Sequence, residues 1–276
     1  MSALFLTVAL SAAVLYGISD YAGGRASARM PVVKVLVWGE MFGAAVLWYL
    51  VVWSGEWPIN TTNVLPGIIA GITGAIGVAL LYDGLSRGYT AMTAPLSAVL
   101  AAMIPVIYGI QSEGIPHTNS LIGMGIGLCA IVLTSMAGRI NNFQGVWQGL
   151  GAGVAFGSFF VFLKYLGSDD TIYTPLAITR TAALLVTLPW LMIRASGPAT
   201  FVGIVLALIA GGVDIAASAA YIMATQLGRL DVASVLASLY PAITVILARI
   251  ISKERTTLLQ KIGVVASLIA TTLIAL

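Results

Sequence analysis

Glu40, Arg180 and Asp214 each stand deep inside long runs of apolar residues. If those runs lie in hydrocarbon, an ionisable group there costs about 2.5–3.5 kcal/mol on insertion scales, so it faces a cavity or a charged partner. Glu40 and Arg180 are 140 residues apart. Their chemistry has two readings. They can form a structural ion pair, costly to break from either side. They can instead flank one cavity, with Arg180 offering its planar fork to a carboxylate and Glu40 holding an ammonium. That arrangement suits a small zwitterionic or amphiphilic metabolite. Asp214 follows Gly211-Gly212-Val213 and precedes Ala216-Ala217-Ser218-Ala219-Ala220, small residues that let helices close around a side chain. It is a candidate proton carrier, with a structural hydrogen bond to a neighbouring helix as the other reading. Asp83, nearer the end of its run, is a second candidate for coupling or buried charge. Asp20, Lys34, Lys164 and Arg249 lie near run ends and read as snorkelling side chains.

Aromatic side chains are the other resource. Trp38, Tyr82, Phe156, Phe160, Tyr221 and Tyr240 fall within the apolar runs, where they either stack on an apolar or cationic solute or pack against neighbours. Trp53, Trp57, Trp147 and Trp190 fall near run ends and read as interface-belt residues. Cys129 and His117 are the sole cysteine and histidine, which excludes an intrachain disulfide and a His/Cys metal centre. No Gly-x-x-x-x-Gly-Lys-Ser/Thr phosphate loop and no His-Glu-x-x-His pattern occurs. No catalytic residue, metal or cofactor is expected.

The elements that must position these groups follow from composition. Of 276 residues, 59% are hydrophobic and 8% charged, and the mean hydropathy is +1.02. Soluble domains carry about 25% charged residues, so water is not the main solvent of this chain. A bilayer span needs about 20 apolar residues across about 30 Å of hydrocarbon and must be helical there, because unpaired amides are costly. Ten such spans are predicted at about 3–22, 32–53, 64–86, 91–111, 119–138, 145–166, 173–194, 199–226, 231–251 and 257–276. Turn chemistry or charge separates them, as in Gly23-Gly24-Arg25, Gly55-Glu56-Trp57-Pro58, Gly88-Tyr89 and Arg139-Ile140-Asn141-Asn142. Gly167-Ser168-Asp169-Asp170 and Ser196-Gly197-Pro198 punctuate the second half in the same way.

A shift of 140 residues aligns Tyr16-Gly17 with Phe156-Gly157, Gly71 with Gly211 and Gly88 with Gly228. Two repeats are expected, 1–140 and 141–276, with five spans each. An odd number of spans forces the second repeat to enter from the opposite side. Inverted repeats are typical of secondary transporters, whose site lies at the midplane between the halves.

Tyr16-Gly17-Ile18-Ser19-Asp20-Tyr21-Ala22-Gly23-Gly24 resembles the EamA-type carriers of the drug/metabolite transporter superfamily. So does Ala233-Ser234-Val235-Leu236-Ala237-Ser238-Leu239-Tyr240-Pro241, which runs on to Lys253-Glu254-Arg255. The first-half counterpart runs from Thr93-Ala94-Pro95-Leu96 to Ser112-Glu113-Gly114 and lacks the Glu-Arg pair. The resemblance implies an all-α membrane protein of two inverted five-helix repeats. It also implies solute movement without cofactor or ATP, and export or exchange of metabolites across an inner membrane.

The expected function is therefore secondary transport of a small metabolite by alternating access. A channel or an intramembrane enzyme are the alternatives, and neither a filter sequence nor a catalytic constellation is found. The expected partners are a small solute and the lipid bilayer, with no nucleic acid, since the net charge of +3 forms no basic patch. Glycines spaced by four at Gly67/Gly71, Gly123/Gly127 and Gly149/Gly153 fit close helix contacts within the chain or in a homodimer. Lys and Arg cluster in the loops opposite the termini, which by the positive-inside rule puts both termini outside; the family resemblance implies the reverse.

Overall fold

The computed structural model describes residues 2–56, 64–87, 89–136, 144–167, 171–194 and 197–276. The described elements are helical: α1 (Ala3–Ser27), α2 (Val32–Ser54), α3 (Val64–Ser86), α4 (Thr90–Glu113), α5 (Thr118–Ser135), α6 (Val146–Lys164), α7 (Tyr173–Arg194), α8 (Phe201–Leu227), α9 (Leu230–Ala237), α10 (Tyr240–Ile250) and α11 (Leu258–Ala275). They supply ten spans long and apolar enough to cross a bilayer, with α9 and α10 sharing the ninth. The expected breaks at Trp57-Pro58, Gly88, Arg139–Asn142, Ser168–Asp170 and Ser196 lie outside the described residues.

Two boundaries differ from expectation. Gly23-Gly24-Arg25, read as a turn, continues α1 to Ser27. The single ninth span is broken at Ser238-Leu239. Pro241 has no N–H to donate to the carbonyl four residues earlier, so the ladder from Ala237 cannot be closed there, and α9 ends at that residue.

Packing follows the repeat. α1 packs on α8 as α6 packs on α3, and α2 on α8 as α7 on α3. α4 packs on α6 as α9 and α10 pack on α1, while α2·α7, α4·α9 and α5·α11 meet across the two halves. The closest crossings are repeat-related too. A Cβ on Gly211 would sit 2.8 Å from the Gly39 Cα, and one on Gly71 would overlap the carbonyl of Thr179, the residue 140 positions after Gly39. Gly17 lies against Ile243 and the Tyr240 carbonyl; Gly157 lies against Ile104 and the Leu100 carbonyl. These are two inverted five-helix repeats.

The six glycines at four-residue spacing all face helices of the same chain. Gly67 and Gly71 meet α7, Gly123 and Gly127 meet α9 and α11, and Gly149 and Gly153 meet α4. Their spacing is used up by intrachain contacts.

Even span number puts both termini on one face, called the terminal face below. There Glu56 accepts hydrogen bonds from the amides of Ile172 (3.2 Å), Tyr173 (3.3 Å) and Thr174 (2.7 Å). It thereby caps the otherwise unpaired N–H groups at the start of α7.

Candidate functional site

A cavity of about 430 Å³ lies between the repeats. Its wall takes the N-terminal halves of α2, α4 and α8 and the C-terminal half of α1, with residues such as Val35, Ala94, Ala207 and Gly23. Those helix halves all lie toward the face opposite the termini. The cavity thus runs from the middle of the bundle to that face.

On the terminal side the bundle is packed shut. Tyr221 is fully buried. It donates toward the Phe160 carbonyl (3.2 Å), shares a hydrogen bond with the Ser234 hydroxyl (2.7 Å) and stacks its ring 4.9 Å from Phe160. Closer to the terminal face, Glu113 at the end of α4 binds Lys164 of α6 and accepts from the Leu230 amide (3.0 Å). Arg229 donates to the Glu113 carbonyl (3.0 Å) and pairs with the buried Asp231 (2.7 Å). The hydrogen bond it donates to Asp231 holds the Arg229 guanidinium's pKa above its ordinary value, so it stays charged. The hydroxyls of Tyr108 and Tyr165 are hydrogen-bonded at the same level.

Arg180 sits on the cavity wall, 8% exposed. One Nη donates to both carboxylate oxygens of Glu40 (3.3 and 3.5 Å), and the other binds Asp214 and reaches the Ser218 hydroxyl at 3.3 Å. Ser218 in turn is 3.2 Å from the Tyr16 hydroxyl. One network thereby joins α7, α2, α8 and α1. Among the described residues the Nε of Arg180 has no hydrogen-bond partner. A guanidinium flanked by two carboxylates in a low-dielectric site is held by strong charge-assisted bonds.

The other candidates divide. Phe156, Phe160 and Tyr240 stand on the cavity wall beside Tyr16 and Phe159. Trp38 is exposed and lies off that wall, and Tyr221 is buried below it. Asp83 is half-buried near the end of α3, where it pairs with Arg87 one turn on (2.9 Å) and accepts from Gln148 (3.2 Å). The side chain of Tyr82 is outside the described residues. Trp53 and Trp147 are strongly exposed near span ends, as belt residues are.

Asp20, which the sequence reads as a snorkelling side chain, stands on the cavity wall. It is exposed into the cavity, on the same face of α1 as Tyr16. Its nearness to a predicted span end concealed it; the extension of α1 to Ser27 moves it inward by more than a turn.

A search among curated proteins returns no match. A solved crystal structure superposes on 99% of this chain and 96% of its own with a TM-score of 0.79 at 15% identity, which establishes a common fold. The model of the EamA-like transporter family matches twice, over residues 3–136 and 143–276. Two matched copies, ten spans and a cavity between inverted repeats agree: the chain belongs to the EamA-like transporter family.

Proposed function

We propose that this protein is a secondary carrier that exports a small amino-bearing, amphiphilic metabolite across the inner (plasma) membrane by alternating access. One observation carries the reading. A charged cavity lies between inverted repeats, open toward one face and closed by packing and ion pairs toward the other. Alternating access in such folds is rocking of one repeat against the other about a central site. Arg25, Arg29, Lys34, Arg87, Lys253 and Arg255 all belong to the face toward which the cavity opens. The positive-inside rule makes that face cytoplasmic, so an exporter would load from this state.

The test is counterflow. Purified protein in liposomes preloaded with amino acids, amines or nucleosides is exposed to trace labelled solute outside. Saturable uptake driven by unlabelled solute inside, at unchanged chemical identity, supports a carrier. Flux that does not saturate and shows no counterflow overturns it.

A further inference from the structure

We infer that Asp20 docks an ammonium group, and that the cavity selects solutes with a positive charge at one end and an apolar body at the other. The inference deepens the carrier reading of the same cavity and rests on it for its physiological meaning.

Charge on the cavity wall comes from four described side chains, the carboxylates of Asp20, Glu40 and Asp214 and the guanidinium of Arg180. The outward-reaching end of Arg180 is engaged. Both of its Nη atoms serve Glu40, Asp214 and Ser218, and its Nε is buried without an acceptor among the described residues. That end cannot take a solute carboxylate without surrendering one of the two it holds. A solute carboxylate arriving beside Glu40 and Asp214 would also meet like charge. Asp20, by contrast, forms no hydrogen bond or ion pair among the described residues. Asp214 stands on the same cavity wall. Three carboxylates face one guanidinium, so the wall carries unmatched negative charge. A cation brought by the solute balances it.

The cation is organic. A volume of about 430 Å³ far exceeds an inorganic ion. Among the described residues no group of His, Cys, Asp or Glu could hold a metal ion. The wall beside Asp20 is aromatic instead. Tyr16 stands one helical turn before it, with the Tyr240 ring centroid 6.2 Å from that of Tyr16. An ammonium near a carboxylate and over tyrosine faces gains from both.

The deciding experiment measures binding to the purified full chain in detergent with three probes of one chain length, n-butylammonium, n-butanol and butyrate. Ligand-induced shifts of thermal unfolding and of tryptophan fluorescence are read. Butylammonium should bind most tightly, Asp20→Asn should weaken it about tenfold or more, and Asp20→Glu should bind within a few fold of wild type. Equal or tighter binding of butyrate or butanol overturns the inference, as does undiminished butylammonium binding by Asp20→Asn. If Asp20→Asn does not elute as a folded species, the ranking of the three probes on wild type and Asp20→Glu decides. Selective butylammonium binding without counterflow would sink the carrier reading and leave this site standing. Counterflow of butyrate that ignores Asp20→Asn would do the opposite.

Discussion

Arg180 donates to Glu40 across 3.3 Å from the equivalent position of the opposite repeat, so the pair straddles the axis that relates the two halves. The repeat supplies the meeting point, and divergence of the two halves supplies opposite charges at it. Asp214 completes the group from α8, where its own counterpart in the first half is Gly74.

Arg180→Ala should leave Glu40 and Asp214 facing each other in a partly buried site, with a loss of about 3–5 kcal/mol as for other broken buried pairs. Glu40→Gln combined with Arg180→Gln should lose less than the single Arg180→Ala change, since fewer charges are stranded. Thermal unfolding in detergent compares the two. Equal melting temperatures would deny the Glu40–Arg180 coupling.

Tyr221 and Tyr240 should separate structure from selectivity. Tyr221→Phe removes the hydroxyl bonded to Ser234 and Phe160, costing about 0.5–1.5 kcal/mol, and should leave the ranking of transported solutes unchanged. Tyr240→Ala, on the cavity wall, should change that ranking. Competition of a solute panel against one labelled substrate reads both.

Gly211→Ala would force a methyl against the backbone of Gly39, 2.8 Å from its Cα, and the α2·α8 crossing must open. Overpacking of this kind costs about 1–3 kcal/mol. Gly24→Ala, with nothing within 4 Å of the added methyl, should cost nothing or stabilise slightly. Melting temperatures of the two variants check the contrast.

Glu113→Gln should loosen the terminal face, because Glu113 holds both Lys164 and the Leu230 amide. A charge-assisted bond contributes about 1.5–3 kcal/mol, so the population open to that face should rise about tenfold or more. A Ser234→Cys reporter in a Cys129→Ser background, buried below that closure, should react correspondingly faster with a thiosulfonate added from the terminal face. An unchanged rate would exclude Glu113 from the closure.

Fold class was readable because hydrocarbon leaves few options. Ten apolar runs had to be helices, and five per half had to invert. The Glu40–Arg180 meeting followed from that symmetry alone. What escaped was everything dependent on rotation about a helix axis. Trp38 and Glu40 are two residues apart, yet one is off the cavity wall and the other on it. The apolar runs are apolar all round and carry no periodic stripe to say which face is inward. Asp20 escaped for a different reason. Two glycines and an arginine read as the end of a span, while neighbouring helices kept α1 regular through them.

The frame is twofold, but in this state its terminal face is the latched one. There Glu113 gathers Lys164, Arg229 and Leu230, whereas at the other face, where the cavity opens, the described residues of the corresponding stretch show Arg249 donating to the Glu254 carbonyl and Tyr21 meeting Ser252. For the proposed carrier, leaving this state therefore means surrendering the Glu113 cluster first. That cluster would set the activation barrier, and hence the temperature dependence, of the step that exposes the cavity to the terminal side.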